Sequence, residues 1–160
     1  MNLKPLVITL FALIATLNPA SALVVMSWTF FECTATDNKK ITLNDRDGYF
    51  VLSYGDMSEP DNRISVRHDK ATYHKELNGV PSYVVGASDD DKSYTIFQAQ
   101  NTNNQPPKAG IIIKKDKQTQ TVLCKPDNFP DARYDLGDIF RNLEYYQKDP
   151  TRTPAKGRYT

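Results

Sequence analysis

The chain of 160 residues has few of the side chains that carry metal, redox or nucleophilic chemistry, with 2 Cys, 2 His and 1 Trp. It has no CxxC spacing and no G-x-S-x-G elbow, which argues against a zinc site and against a serine hydrolase. We expect His68 and His74, which stand beside charged residues, at the surface. A glycosidase pair among the 19 acids stays open. The sequence therefore predicts a protein without metal or cofactor that is not an enzyme.

A long apolar run occurs only at the beginning of the chain. Residues 1–22 have the pattern of a secretory signal, with the single charge of Lys4, an apolar stretch of about 12 residues, an Asn-Pro breaker and an Ala-Ser-Ala ending. Its removal leaves equal numbers of basic and acidic side chains, so no charge excess favours nucleic acid or anionic lipid. No later run approaches the roughly 18 apolar residues of a membrane span. We expect a periplasmic or secreted protein that is free of the membrane after cleavage.

The two cysteines, Cys33 and Cys124, both lie in the region that remains after cleavage. In an oxidising compartment such a pair is typical of a disulfide, although a reactive thiol and a metal pair are the competing interpretations. A bridge between them would close a loop of about 90 residues and constrain the unfolded chain by on the order of 4 kcal/mol. It would join the beginning of the domain, 23–125, to its end.

Between the cysteines the hydrophobic pattern alternates with a period of two and shows no sustained helical period. Residues 28–33 and 40–43 predict strands, 44–48 a turn, and 49–54 the returning strand of a hairpin. Further candidate strands are 63–68, 71–77, 82–85, 93–98, 110–114 and 121–125, and Asn78-Gly79 predicts a turn between the second and third of these. About eight short strands without intervening helices indicate an all-β fold, a small antiparallel barrel or sandwich.

The character of the chain changes after Cys124. In the segment 126–147, apolar residues at 136, 139, 140 and 143 have helical spacing and predict one short amphipathic helix from Leu136 to Tyr146. One member of the adjacent pair Tyr145-Tyr146 must face away from the surface on which the helix packs, which suggests an interface. The last residues, 148–160, have the composition of a disordered tail.

The densest charge feature is the run Asp89-Asp90-Asp91. A solvated hairpin tip, a contact to a basic partner and a calcium site are the three interpretations of this run. It lacks the D-x-D-x-D-G spacing that arranges ligands around calcium.

Four stretches together resemble the periplasmic and membrane-bound bacterial inhibitors of c-type lysozyme, over about residues 28–126. They are Phe31-x-Cys33, the alternating strand from Lys40, the Gly-Tyr-Phe-Val-Leu return at 48–52, and the Thr-Val-Leu-Cys-Lys strand at 121–125. The resemblance implies a small all-β barrel with a Cys near each end of the domain. It also implies inhibition by a loop of Ser-Gly-x-x-Tyr type that enters the lysozyme active-site cleft, supported by a basic residue near the second Cys.

The corresponding residues here are Ser88, Tyr94 and Lys125, but Asp89 replaces the Gly and the spacing from Ser to Tyr is longer. The acids at 89–91 suit approach to a basic enzyme, and Lys92 offers an ammonium group to the enzyme's carboxylates. We therefore expect an exported inhibitor of a peptidoglycan-cleaving enzyme, with a lysozyme-type hydrolase as protein partner.

The alternative is a periplasmic immunity protein that neutralises a secreted antibacterial toxin, with the C-terminal helix as its added surface. A third class, an exported hydrolase or ligand-binding module, would have a deep pocket lined by paired acids.

Overall fold

The computed structural model describes residues 27–100, 108–126 and 136–148. The predicted signal peptide at 1–22 lies outside the described residues, and so does all of the predicted tail except its first residue. In the described part of the chain nine antiparallel strands form two sheets, followed by two short helices. The prediction of an all-β fold is confirmed, and of its two forms the sandwich fits.

Four strands form the first sheet in chain order. They are β1 (Ser27–Thr34), β2 (Lys40–Arg46), β3 (Tyr49–Tyr54) and β4 (Arg63–Arg67). β2 and β3 are joined by Asp47 and Gly48, whose φ angles of 51° and 86° suit the tight turn of a hairpin. The predicted turn at 44–48 is thus too long, because its first three residues continue β2 and pair with β3. Short 3₁₀ turns precede and follow β4, at Pro60–Asn62 and His68–Lys70.

Five strands form the second sheet, again in chain order. They are β5 (Thr72–Leu77), β6 (Val80–Asp89), β7 (Lys92–Ala99), β8 (Ala109–Lys115) and β9 (Gln118–Leu123). The predicted turn Asn78-Gly79 is confirmed, with φ of 51° and 79° between β5 and β6. In both sheets each strand therefore pairs with its neighbours in the sequence.

Alternate side chains of the two sheets bury one shared hydrophobic core. Its fully buried members include Phe31, Leu43, Leu52, Val85, Ile96 and Ile111. The helical segment adds Leu136 and Ile139 to the same core. The predicted single helix is instead two, α1 (Gly137–Arg141) and α2 (Leu143–Lys148). The break is at Asn142, whose side-chain amide donates to the carbonyl of Asp138 at 3.0 Å.

The two sheets are joined covalently at one corner by the predicted disulfide. Cys33 and Cys124 are bonded, with their Cα atoms 5.8 Å apart and a sequence separation of 91. Beside the bond, Ala35 and Cys124 form an antiparallel bridge, so the end of β1 meets the end of β9. The expectation that the disulfide ties the beginning of the domain to its end is confirmed.

None of the helices in the described ranges has the length and apolar character that crossing a membrane requires.

Candidate functional site

The predicted loop at 88–91 forms the tip of the β6–β7 hairpin. Asp89 pairs with Lys92, which leaves Asp90 and Asp91 as the two-residue connection. The backbone N–H of Asp90 donates to the carboxylate of Asp89 at 3.0 Å. Ser88 and all three aspartates are exposed. The tip therefore presents a hydroxyl and three carboxylates to solvent.

The base of this hairpin is fixed to the first sheet by Lys92 and Tyr94. The ammonium group of Lys92 donates to the carbonyls of Asp61 at 2.9 Å and Arg63 at 3.3 Å. The phenol of Tyr94 donates to the same Asp61 carbonyl at 3.1 Å. Tyr94 is buried, and this burial, together with the charge of Asp61, raises the pKa of its hydroxyl. Lys92, which is half-buried, and Tyr94 thus hold the base of the tip against the segment 61–63.

Lys125 lies away from the tip. The register places Lys92, Lys115 and Gln118 at one end of the second sheet, whereas Lys125 follows the opposite end of β9. Its backbone N–H donates to the carbonyl of Thr34 at 2.8 Å, and its ammonium group contacts the side chain of Asn38. Of the predicted contact residues, the structure brings 88–94 together and separates Lys125 from them.

A second hairpin tip lies against the first. The backbone N–H of Asp116, in the β8–β9 connection, donates to the carbonyl of Asp91 at 3.2 Å. This second tip carries Lys114, Lys115 and Lys117, all exposed, so acidic and basic side chains stand side by side at this end of the sandwich. Among the residues that the structure describes, no group of three His, Cys, Asp or Glu side chains is arranged to hold a metal ion.

The expectation of a surface position is wrong for His68, which is 3% exposed. Its Nε2 atom lies 3.0 Å from a carboxylate oxygen of Asp45, which is 4% exposed. The rings of Phe50 and Tyr146 pack on the imidazole, with centroids 4.2 and 5.0 Å away. Tyr73 donates its hydroxyl to the His68 carbonyl at 2.7 Å. This buried pair is part of the packing beneath α2. His74 is exposed, as expected.

Tyr146, one member of the adjacent pair of which a single tyrosine was predicted to face outward, is buried at 5% exposure. Its ring packs edge-on against Phe30 and at a tilt against Phe50, with centroids 5.9 and 5.4 Å away. The side chain of Tyr145 lies outside the described part of the structure. Tyr146 therefore stabilises the core and is not a contact residue.

The outward face of the first sheet carries a feature that the sequence pattern did not reveal. An open cleft of about 770 Å³ lies between β1, β2, β3 and the segment 55–57, and we name it the outer cleft. Its lining residues are Ser27, Thr29, Glu32, Asn38, Lys39, Lys40, Thr42, Asn44, Ser53, Gly55, Asp56 and Met57. The cleft is missed by sequence reasoning because Asn44 was assigned to a turn. The signal in the sequence that could have indicated the cleft is the pair of polar residues Thr42 and Asn44, which alternate with apolar residues and therefore share the outward face of β2.

A chain of side-chain hydrogen bonds forms the floor of the outer cleft. The Thr29 hydroxyl donates to the side-chain oxygen Oδ1 of Asn44 at 2.7 Å, and the side-chain nitrogen Nδ2 of Asn44 donates to the Thr42 hydroxyl at 3.1 Å. The hydroxyls of Thr42 and Ser53 share a hydrogen bond of 2.7 Å. The sulfur of Met57 lies over this floor, 3.4 Å from the Asn44 amide nitrogen.

Comparisons with protein-family models, with curated proteins and with solved structures give no match to this chain.

Proposed function

We propose that this protein is an exported inhibitor of a peptidoglycan-cleaving enzyme and acts by inserting the β6–β7 tip into the enzyme's cleft. The observation that supports the proposal best is the exposure of Ser88 and the three aspartates at the end of a hairpin whose base is anchored. A tip held in one conformation loses little entropy on binding, which favours affinity. The disulfide between Cys33 and Cys124 agrees with a periplasmic or secreted location.

The chemistry of the tip suits a basic enzyme with catalytic carboxylates. The aspartates at 89–91 attract a positively charged rim and speed association. The hydroxyl of Ser88 can donate to a carboxylate within the enzyme's cleft. In this proposal Lys92 and Tyr94 position the tip from beneath, and Lys125, at the other end of the sheet, contacts no part of the same cleft.

The test is a cell-wall lysis assay with c-type lysozyme and the purified chain from residue 23 onward. We expect lysis to slow as the protein approaches an equimolar amount, and the inhibition to weaken as ionic strength rises. Replacing all three tip acids, Asp89→Asn, Asp90→Asn and Asp91→Asn, should weaken inhibition by about 10-fold or more. The matched control is Asp47→Asn at the tip of the β2–β3 hairpin, which should inhibit like the parent chain.

Undiminished lysis at a several-fold molar excess of the protein would rule out this target. Inhibition that survives the triple replacement would remove the tip from the proposal. In the alternative, an immunity protein with its contact surface on the C-terminal helix, Tyr146 belongs to the packed side of that helix.

A further inference from the structure

Three polar side chains are buried on the outward face of the first sheet, on the side away from the second sheet. Thr42 is 8% exposed, Asn44 is 7% exposed and Ser53 is fully buried. Side chains alternate between the two faces of a strand, so the adjacent residues Leu43 and Leu52 point to the other face and are buried in the core. Buried polar groups need hydrogen-bond partners, so the partners of these three residues decide what the outer cleft can bind.

The protein supplies those partners incompletely. One amide hydrogen of Asn44 is directed at the sulfur of Met57, and a thioether is only a weak acceptor. Thr42 and Ser53 have two hydroxyl hydrogens, but their mutual bond uses one. If Ser53 donates to Thr42, the Thr42 hydrogen can point only at the Met57 sulfur, 3.9 Å away. If Thr42 donates to Ser53, the Ser53 hydrogen has no acceptor within the described part of the chain. A stronger acceptor placed where the Met57 sulfur lies would therefore improve this hydrogen bonding.

The charged residues at the rim of the outer cleft are largely compensated. Lys40 forms an ion pair with Glu32, and the ammonium group of Lys39 lies 3.7 Å from a carboxylate oxygen of Asp37. Asp56 accepts the backbone N–H of Ser58 at 2.8 Å, which holds the pKa of its carboxyl below the usual value. The rim thus offers a carboxylate acceptor, and its ammonium groups are already paired, which disfavours an anionic ligand.

We propose that the outer cleft binds a neutral oligosaccharide, one of whose hydroxyl oxygens displaces the sulfur of Met57 from Asn44 and Thr42. A sugar hydroxyl oxygen can accept from Asn44 and Thr42, and its own hydrogen can donate to an acceptor such as the carboxylate of Asp56 at the rim. The volume of about 770 Å³ lies within the range of about 300–1,000 Å³ that is usual for ligand sites. The floor of the cleft offers no backbone edge to an added peptide strand, because β2 and β3 are paired on both sides; such a strand would have to pair with the edge of β1. This proposal is independent of inhibition by the β6–β7 tip.

The proposal is tested by titrating the chain from residue 23 onward with chitotriose, with maltotriose and with an anionic trisaccharide, followed by amide chemical shifts. We expect at least one neutral trisaccharide to shift the signals of Thr42, Asn44 and Ser53 in a saturable way at millimolar concentration. The anionic trisaccharide should bind more weakly. Chemical shifts distinguish this site from the tip at 88–91, whose signals should not move.

Two variants and a control assign the binding to the cleft floor. Thr42→Val, which removes a hydroxyl that donates to the ligand, should weaken the affinity by about 10-fold. Met57→Ala should strengthen it several-fold, because the ligand no longer displaces the sulfur. Ser65→Ala, an exposed serine on the same face of the sheet, should leave it unchanged. Thermal unfolding of each variant verifies that it is folded. No shift at the floor with either neutral trisaccharide, or equal affinity in the Thr42→Val variant, would overturn the proposal.

Discussion

Tyr54 is buried at the end of β3, and its hydroxyl donates to the carboxylate of Asp37. Burial, reinforced by the hydrogen bond to Asp37, raises the pKa of Tyr54 to about 12. The same hydrogen bond holds the pKa of Asp37 below its usual value. The ammonium group of Lys39 lies 4.8 Å from the centre of the Tyr54 ring. One phenol thereby joins β3 to the connection between β1 and β2.

We expect Tyr54→Phe to reduce the free energy of unfolding by about 1 kcal/mol near neutral pH, because Asp37 loses its donor. The lowered pKa of Asp37 contributes stability above its ordinary pKa of 3.8, which is lost as the pH falls through the lowered value. The raised pKa of Tyr54 contributes stability below its ordinary pKa of 10.0, which is lost as the pH rises toward about 12. Denaturant unfolding of both proteins across this pH range measures the difference, which should shrink at both ends. A difference that is constant with pH would contradict the contact.

Sequence reasoning identified residues whose role is local and missed those whose role depends on a distant partner. The turn Asn78-Gly79 needs only its own two backbone conformations, so its residue types predict it. The burial of His68 depends on Asp45, 23 residues earlier in the chain, and no pattern around His68 contains that information. The residue types at 44–48 are typical of a turn, but backbone pairing of Asn44 with Thr29 and Val51 on the neighbouring strands places it in β2.

At the scale of the element, the helix α2 covers aromatic rings that the two sheets leave open. Tyr146 packs against Phe30, Phe50 and His68, while the neighbouring Gln147 is exposed. A helix of six residues is too short to be stable by itself, so its packing on the sheets holds it in place. The spacing of its apolar residues predicted a helix. Which of the two adjacent tyrosines is buried could not be predicted, because that depends on the rings of Phe30, Phe50 and His68 beneath the helix.

Replacing Tyr146 by Ala should therefore lower the free energy of unfolding by about 3 kcal/mol, the usual cost of removing a large buried aromatic ring. Gln147→Ala, on the exposed side of the same helix, should change it by less than about 0.5 kcal/mol. Denaturant unfolding monitored by near-ultraviolet circular dichroism measures both. Equal stability of the two variants would show that α2 does not cover the core in solution.

At the scale of the whole molecule, the covalent link between Cys33 and Cys124 joins two sheets whose strands otherwise pair only within each sheet. Apart from the shared core, the bridge of Ala35 with Cys124 is the backbone pairing that connects them in the described part of the chain. The disulfide was predicted from the two cysteines and from the predicted export signal. The sandwich geometry did not, because a strand pattern does not specify how two sheets meet.

The double replacement of Cys33 and Cys124 by Ala should cost on the order of 4 kcal/mol, because the bond closes a loop spanning 91 positions of the sequence. The measurement is denaturant unfolding with and without a reducing agent. Reduction should destabilise the parent chain by a similar amount and leave the double variant unchanged. A parent chain that is equally stable after reduction would show that the bond adds nothing to the fold.

The order of the strands has a consequence for how the molecule folds. Every strand in both sheets pairs with a neighbour in the chain, so each hairpin can form from residues that lie close together in sequence. The corner at Ala35 and Cys124 is different, because its two halves are separated by almost the whole domain. When the chain is delivered with its N-terminus first, Cys33 and Ala35 at the end of β1 must wait for Cys124 until β9 has appeared. The period between these events is when the protein is most exposed to aggregation and to a wrong partner for Cys33.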